Sequence, residues 1–210
     1  MKKPFNFVIT AGPTREFIDP VRFLSNPSTG KMGFSIARAA AKLGHKVTLI
    51  AGPVALKTPS GVKRVDVVSA REMFNAAKEA VSTDCIFIAT AAVADWRPKT
   101  CATKKLKKTE MSDVIKLVRN PDILKSISGC VKIGFAAETN DVLEEATRKC
   151  REKNLAMIVA NDVTEEGAGF GTDTNRVVFI YPDGRTMPLK KMSKLAVARR
   201  IVRECENICS

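Results

Sequence analysis

The stretch Asn6–Ala51, NFVITAGPTREFIDPVRFLSNPSTGKMGFSIARAAAKLGHKVTLIA, decides the fold of this chain. It opens with a short apolar run, Asn6–Ala11, which has the length and composition of a buried strand. An alanine-rich segment with helical periodicity follows from about Gly30 to Leu43, and Gly44 ends it. Lys46–Ala51 is a second apolar run. A strand, a helix and a strand in this order predict two parallel strands joined by a helical crossover.

The same alternation continues along the chain. Apolar strands separated by helices predict a parallel sheet covered on both faces, and Asp183-Gly184 predicts a hairpin turn near the end. We expect one domain, residues 1–210, of the α/β class: a Rossmann-like, doubly wound, mostly parallel sheet with helices on both faces and a C-terminal β-hairpin plus helix. The further predicted helices are Ala70–Ser82, Val142–Lys153 and Met192–Cys205, and the further strands are Cys85–Ala92, Val131–Ala137, Leu155–Ala160, Arg176–Tyr181 and Arg185–Leu189.

Composition and charge narrow the function classes. The chain has no apolar run near the roughly 20 residues that a membrane helix needs, and its N-terminus lacks the features of a signal peptide, so a cytoplasmic protein without a membrane partner is predicted. Six cysteines without a CxxC pair, and a single histidine, favour reduced thiols over a zinc site. The net charge of +13 predicts an anionic partner.

Two segments follow predicted strands and fit no regular structure, and we expect function there, because ligands of open α/β sheets bind beyond the carboxyl ends of strands. The first, Gly12–Pro27, lacks the GxGxxG pattern of dinucleotide-binding proteins. The Gly30-Lys31-Met32 that follows it is not a Walker A loop, because the lysine is not followed by Ser or Thr. The helix start after Ser28 and Thr29, one of which is predicted to cap it, is still an anion site in principle. The second segment, residues 95–110, is predicted to be a flexible, lysine-rich loop.

The run ITAGPTREFIDPVRFLSNPSTGKMG, residues 9–33, resembles the signature of phosphopantothenate–cysteine ligases, and its part SNPSTGKMG is the most specific. The motifs AAVAD, NPDI, GFAAET and ANDV follow in the order of that family, so that the resemblance extends from about Asn6 to Arg200. In many bacteria this ligase is the C-terminal half of a bifunctional flavoprotein of coenzyme A biosynthesis.

The resemblance implies a two-step reaction. The carboxylate of 4′-phosphopantothenate reacts with CTP or ATP to give an acyl-CMP or acyl-AMP intermediate, and the amine of L-cysteine then displaces the nucleoside monophosphate. Mg²⁺ is expected with the nucleotide. No flavin is expected on this chain, because the decarboxylase half of the bifunctional members is missing from it; a separate decarboxylase chain is then a possible partner. Family members are dimers, which implies a homodimer, and the late hairpin is a candidate dimer element.

Residue roles follow from the same resemblance. Asn26 matches an asparagine of the second half-reaction, and Lys105 matches a lysine that acts in forming the acyl-nucleotide, with Lys104 and Lys107 as the alternative assignments. The predicted nucleotide-binding residues are Ala89, Thr90, Ala91, Asp95, Lys105, Pro121, Asp122, Ile123, Leu124, Phe135, Lys149 and Lys153. The predicted substrate-binding residues are Gly12, Asn26, Ser28, Thr29 and Gly30. No metal ligand is assigned.

The residue types suit these roles. Small residues at 89–91 let a flat ring approach the backbone, Phe135 can pack against a base, and Asp95 can accept hydrogen bonds from a ribose or hold a metal. Lys149 and Lys153 are four residues apart and share one helix face.

Two other function classes stay open at this level. An NAD(P)-dependent oxidoreductase would have the same fold, but the chain lacks both GxGxxG and a Tyr-x-x-x-Lys pair, since its one tyrosine, Tyr181, lies in the predicted hairpin. A non-catalytic nucleic-acid-binding module would explain the charge. Aromatic residues, however, make up only 6% of the chain, and the basic residues are not interleaved with stacking rings. We therefore expect no nucleic-acid partner.

Overall fold

The computed structural model of the protein describes residues 3–107, 109, 113–138, 142–162 and 172–210. The predicted roles or motif positions of Lys108, Thr139 and Val163 lie outside these residues. The helices are α1 (Lys31–Lys42), α2 (Ala70–Ala80), α3 (Ile123–Ser126), α4 (Val142–Glu152) and α5 (Lys194–Ile208). The strands are β1 (Asn6–Ala11), β2 (Arg15–Phe17), β3 (Phe23–Ser25), β4 (Lys46–Ala51), β5 (Val62–Asp66), β6 (Cys85–Ala89), β7 (Trp96–Pro98), β8 (Leu117–Arg119), β9 (Val131–Glu138), β10 (Met157–Asp162), β11 (Thr174–Asn175), β12 (Val177–Ile180), β13 (Thr186–Pro188) and β14 (Met192–Ser193).

Eight strands form the central sheet, in the order β13-β12-β10-β9-β6-β1-β4-β5. Six of them, from β10 to β5, are parallel to their neighbours, and the hairpin of β12 and β13 adds an antiparallel edge beside β10. The predicted doubly wound, mostly parallel sheet with a C-terminal hairpin and helix is therefore confirmed. The order of the six parallel strands reverses between β1 and β6, and such a reversal opens a crevice beyond the carboxyl ends of the two strands.

Helices cover both faces of the sheet because the parallel strands are apolar on both faces. On one face, Phe7 and Ile9 of β1 lie in a core cluster with α1 and α5. On the other face, Val8 of β1 and Phe87 of β6 pack with Met73 of α2, and α4 packs over β10 and β12. Among the described residues, no helix is both long and apolar enough to cross a membrane.

The predicted side-chain cap of α1 is wrong. The N-cap residue is Gly30, with a φ of 75° and no side-chain cap hydrogen bond, rather than Ser28 or Thr29. This left-handed conformation favours glycine. The space is tight as well, since a Cβ atom at Gly30 would lie 3.4 Å from the backbone of Gly12. The chain therefore folds the start of α1 directly onto the end of β1.

The two segments predicted to lack regular structure contain short hairpins. In Gly12–Pro27, β2 pairs with β3, and Trp96–Pro98 pairs with Leu117–Arg119 across the lysine-rich loop. No pattern in the sequence indicated β5. Strands of three residues are too short to show periodicity, and β5 is an edge strand in which Lys63, Arg64 and Asp66 interrupt any alternation of apolar and polar residues.

Candidate functional site

The ends of β1 and β6 are joined beyond the regular sheet. The Thr90 hydroxyl donates to the Thr10 carbonyl oxygen over 2.6 Å, and the Ala92 N–H donates to the Gly12 carbonyl oxygen over 2.9 Å. A Cβ atom at Gly33 of α1 would lie 2.5 Å from the Thr90 hydroxyl oxygen. Only glycine lets α1 approach this closely, so the helix N-terminus lies directly over the two strand ends.

A pocket of about 170 Å³, here called the small pocket, lies at this helix N-terminus. The first N–H groups of a helix lack partners within the helix and favour anions. The small pocket is lined by Ser28, Thr29, Gly30, Lys31, Met32, Gly33, Thr90, Ala91, Ala92, Phe135, Ala136, Asn161, Asn175 and Lys194.

Two buried oxygen atoms in the small pocket accept no hydrogen bond from the residues that the structure describes. They are the side-chain carbonyl oxygens of Asn161 and Asn175, which find no donor in the part of the chain that the structure describes. A buried polar atom without a partner costs about 1–3 kcal/mol. Both oxygens therefore fit a ligand or water that donates hydrogen bonds. Lys194, which is also buried, adds a positive charge to the same pocket.

A second pocket, here called the large pocket, has a volume of about 520 Å³ and lies on the other side of Ala91 and Phe135, which line both pockets. Its wall carries an ion pair in which the Lys153 ammonium lies 2.8 Å from the Asp122 carboxylate. The large pocket is lined by Thr10, Ala89, Ala91, Val93, Ala94, Asp95, Trp96, Arg119, Asn120, Pro121, Asp122, Ile123, Leu124, Phe135 and Lys153.

Asp122 is held ionised by its surroundings. Burial alone would raise the pKa of its carboxyl group, but the hydrogen bonds from Lys153 and from the Lys125 N–H lower that pKa below its usual value. The same carboxylate is the N-cap of α3. It thereby fixes Lys153 and the start of α3 relative to each other, with both facing the large pocket.

The hairpin of β7 and β8 forms the opposite wall of the large pocket. The Arg119 guanidinium lies 5.0 Å from the centre of the Trp96 ring. Asn120 closes the wall, because its side-chain amide donates to the Ala94 carbonyl oxygen over 2.8 Å and its N–H donates to the Asp95 carbonyl oxygen over 2.8 Å. The guanidinium lies over the ring at the rim of the pocket, where a flat, anionic ligand would contact both groups.

Asn26 lies above the boundary between the two pockets. Its side-chain amide nitrogen donates to the carbonyl oxygens of Ala92 and Val93, each over 3.2 Å. Ala92 lines the small pocket and Val93 the large one. Within the described residues the side-chain oxygen of Asn26 has no hydrogen-bond donor, so it is available to a ligand that spans both pockets.

Lys105 is exposed and lines neither pocket. Its neighbour Leu106 is bound to the β2–β3 hairpin: its N–H donates to Asp19 over 3.2 Å, and its carbonyl oxygen accepts from Arg22 over 2.7 Å. Lys149 also lines neither pocket, and its ammonium lies 3.9 Å from Glu145.

The structure brings most of the predicted binding residues together. Of the predicted nucleotide-binding residues, those in the large pocket are Ala89, Ala91, Asp95, Pro121, Asp122, Ile123, Leu124, Phe135 and Lys153. Thr90 lines only the small pocket, together with the predicted substrate-binding residues Ser28, Thr29 and Gly30. Gly12 lies behind the small pocket, against the N-cap of α1.

Sequence reasoning missed several pocket residues. Trp96 and Arg119 belong to a hairpin that the sequence did not reveal. Asn161 was part of a motif without an assigned role. Asn175 belongs to the two-residue strand β11, and Lys194 is the first residue of α5, a predicted helix to which no site residue was assigned. Only the position of Trp96, directly after Asp95, was available as a hint.

Comparison with known proteins decides the family. The family model described as DNA/pantothenate metabolism flavoprotein C-terminal domain matches residues 3–208. The chain belongs to this family. The predicted resemblance is therefore confirmed, and the two pockets are features of a DNA/pantothenate metabolism flavoprotein C-terminal domain.

Similar proteins support the assignment. The coenzyme A biosynthesis bifunctional protein CoaBC of Vibrio parahaemolyticus is 49% identical over 211 residues, which cover 97% of this chain and 52% of that protein. The chain thus spans about half the length of such curated relatives. A crystal structure of the C-terminal domain of a CoaBC protein has a TM-score of 0.83 and 43% identity, covering 98% of this chain and 95% of that one. A Cab2 mutant in complex with phosphopantothenate-cysteine shares the fold, with a TM-score of 0.78 and 16% identity, covering 98% of this chain and 87% of that one.

Proposed function

We propose that this DNA/pantothenate metabolism flavoprotein C-terminal domain is a phosphopantothenate–cysteine ligase that works through an acyl-nucleotide. The observation that carries the proposal is the pair of adjoining pockets, which share Ala91 and Phe135 and have Asn26 above their boundary. Two adjoining pockets suit a reaction that joins two substrates. The similar CoaBC proteins are named for coenzyme A biosynthesis.

The small pocket suits 4′-phosphopantothenate. The side-chain oxygens of Asn161 and Asn175, which have no donor within the described ranges, match a substrate that carries hydroxyl and amide N–H donors. Its negative charges suit the N-terminus of α1 and the buried Lys194. The reacting carboxylate then points toward Ala91 and Phe135, where the small pocket meets the large one.

The large pocket suits the nucleotide. Phe135 and Trp96 offer ring faces for a base, Arg119 and Lys153 offer positive charge, and the exposed Asp95 offers a carboxylate. Whether the base is that of CTP or ATP depends on contacts to its edge, and both nucleotides are included in the test below.

A magnesium ion fits this pocket as a companion of the triphosphate. Mg²⁺ is usually held by one or two carboxylates together with substrate phosphates, and Asp95 supplies one such group. Among the described residues there is no group of three or more His, Cys, Asp or Glu side chains that would hold a metal by itself. The ion would neutralise phosphate charge.

The chemistry needs positioning more than it needs a strong acid or base. A carboxylate oxygen of phosphopantothenate bonds to the α-phosphorus of the nucleotide, and pyrophosphate leaves with the electron pair. The amine of cysteine then bonds to the acyl carbon, and the nucleoside monophosphate leaves as the amine loses a proton. Lys105 is assigned to the first step and Asn26 to the second.

The proposal is tested with the purified chain, 4′-phosphopantothenate, Mg²⁺ and either CTP or ATP. Pyrophosphate and nucleoside monophosphate are followed with and without cysteine. We expect monophosphate release that depends on both phosphopantothenate and cysteine, with the faster nucleotide defining the base preference. A folded chain that releases no monophosphate with either nucleotide would contradict the ligase. Nicotinamide-dependent reduction or salt-sensitive RNA binding would then support one of the other two classes.

A homodimer forms part of the proposal. The exposed large apolar side chains of the described residues include Val21, Phe23, Trp96, Val114 and Leu117. They belong to the β2–β3 and β7–β8 hairpins and their connections, and β2 contacts β7. A cluster of exposed apolar side chains suits an interface with a second copy. None of the most exposed ones among the described residues lies on the late hairpin, so these two small hairpins suit the interface better.

Substituting this apolar surface is expected to convert the dimer to a monomer. The double variant Phe23→Lys and Val114→Lys places two positive charges on a face that a second copy would cover, and repeated charge across a twofold interface is repulsive. Size-exclusion chromatography with light scattering measures the mass. Leu43→Lys, at an exposed position after α1, is the control and should leave the mass unchanged. A monomeric parent protein would contradict the dimer.

The proposal also includes a decarboxylase partner and a cytoplasmic location. The curated relatives are named bifunctional and are about twice as long, which supports a separate decarboxylase chain as a partner of the proposed ligase. All six cysteines are free thiols in the structure, which is compatible with the expected cytoplasmic location.

A further inference from the structure

Asp19 is a charged side chain that the proposed reaction does not use. It is completely buried, and a buried carboxylate persists only where hydrogen bonds and opposite charge compensate the loss of water. One of its oxygens accepts the N–H groups of Val21 and Arg22, each over 2.8 Å. The other accepts Arg22 Nε over 3.0 Å, Arg22 Nη2 over 2.6 Å and the Leu106 N–H over 3.2 Å.

The Asp19–Arg22 pair holds both polar groups of one backbone position in the lysine-rich loop. Asp19 accepts from the Leu106 N–H, and Arg22 Nη2 donates to the Leu106 carbonyl oxygen over 2.7 Å. A further bond runs from the Ala102 N–H to the Ile18 carbonyl oxygen over 2.9 Å. The peptide bond between Lys105 and Leu106 is therefore bound to the β2–β3 hairpin.

The hairpin itself is fixed to the body of the domain. The buried Glu16 carboxylate accepts the N–H of Ala70 at the start of α2 over 2.8 Å, and the Arg15 N–H donates to the Val68 carbonyl oxygen over 2.8 Å. A carboxylate at a helix N-terminus is stabilised by the helix dipole. The chain from Arg15 to Asn26 thus connects the anchored strand β2, the contacts with Leu106 and the side chain above the pocket boundary.

We infer that Asp19 is a positioning residue for the first half-reaction, which it serves by holding the Lys105–Leu106 peptide bond, together with Arg22, on the hairpin that carries Asn26. This inference rests on the proposed function. A lysine on a loop that is held at its neighbour samples far fewer positions, and small displacements of a catalytic group cost about 10²-fold in rate.

The ionisation of Asp19 is consistent with this geometry. Burial alone would raise the pKa of its carboxyl group, but hydrogen bonds from Val21, Arg22 and Leu106 hold that pKa well below its usual range. Replacing Asp19 with asparagine keeps the size of the side chain. Because an amide has only one acceptor oxygen, either the Val21 and Arg22 N–H groups or the Arg22 and Leu106 donors lose their partner.

The test combines proteolysis with kinetics on Asp19→Asn. Trypsin cuts after lysine, so cleavage between Lys105 and Leu106, mapped by mass spectrometry, reports directly on the held peptide bond. We expect cleavage there to rise about tenfold, since proteolysis follows the population of the open form. Acyl-nucleotide formation without cysteine should fall roughly 10²-fold in kcat with little change in the KM for nucleotide. Asp183→Asn, which disrupts an exposed Asp–Arg pair at the late hairpin turn, should change neither.

A double-mutant cycle separates positioning from general damage. If Asp19 acts through Lys105, adding Asp19→Asn to Lys105→Gln causes no further loss of acyl-nucleotide formation. Equal losses in both backgrounds, unchanged cleavage, or increased cleavage with a normal rate would each overturn the inference.

If Asp19→Asn fails to fold, Arg22→Lys is the second variant. It keeps the buried charge of Asp19 paired but removes the guanidinium group that reaches the Leu106 carbonyl oxygen. It should give the same pattern with a smaller effect, and an unchanged pattern would overturn the inference. If the unsubstituted protein forms no acyl-nucleotide, the proposed function is contradicted instead. The cleavage assay would still show whether Asp19 holds the backbone at Leu106.

Discussion

Replacing Lys105 with glutamine is expected to lower the rate of acyl-nucleotide formation by about 10²- to 10³-fold, the range seen when one preorganised electrostatic contact to a transition state is lost. Glutamine keeps most of the length of lysine but not its charge. The loss should appear in pyrophosphate release without cysteine, measured in a single turnover, because the charge stabilises the phosphorus-centred step. A separately supplied acyl-nucleotide should still react with cysteine at close to the normal rate.

The matched controls lie in the same loop. Lys104→Gln removes an equal charge from an exposed neighbouring position and should cost less than tenfold, since a solvated charge outside the pocket contributes little. Lys107→Gln is the second control. If Lys104→Gln or Lys107→Gln causes the large loss and Lys105→Gln does not, the catalytic lysine is misassigned. Equal, small effects of all three substitutions would show that the loop does not act in the first half-reaction.

Replacing Asn26 with aspartate is expected to separate the two half-reactions. The side-chain amide of Asn26 now donates to the carbonyl oxygens of Ala92 and Val93, and a carboxylate in its place would face those oxygens with two acceptors and a negative charge. The side chain must then turn away from the pocket boundary. We expect pyrophosphate release without cysteine to stay within about tenfold of normal, while the transfer to cysteine falls roughly 10²- to 10³-fold.

The measurement is the accumulation of acyl-nucleotide by mass spectrometry, followed after addition of cysteine. Asn207→Asp is the control. It makes the same chemical change on α5, where Asn207 donates to Glu204 over 3.2 Å, outside both pockets. It should behave like the parent protein. If Asn26→Asp slows pyrophosphate release as strongly as it slows transfer, Asn26 does not divide the reaction as proposed.

The secondary structure around the sheet was largely predictable because its signals are local. Asn6–Ala11 and Lys46–Ala51 were predicted with the bounds that the structure has, since uninterrupted apolar runs between polar segments define buried strands. Gly44, with a φ of 87°, ends α1 as expected. The Asp183-Gly184 turn likewise joins β12 and β13. Each of these features depends only on residues near it in the chain.

The short hairpins were not predictable for the opposite reason. β2, β3, β7 and β8 have three residues each, too few for periodicity, and they form because their partners are brought close by the rest of the fold. Trp96 pairs with Arg119 across the whole lysine-rich loop. The wall of the large pocket therefore follows from a contact between residues far apart in sequence.

The sequence by itself determined the family, the doubly wound sheet and the motifs that line the two strand ends, because these depend on residue type and local order. Only the tertiary structure decided which side chains face a common space. It placed Asn161, Asn175 and Lys194 in the small pocket, and it joined Asp19 to Leu106 across 87 positions. Such contacts depend on how helices and strands pack, and packing is set by the whole chain at once rather than by any segment of it.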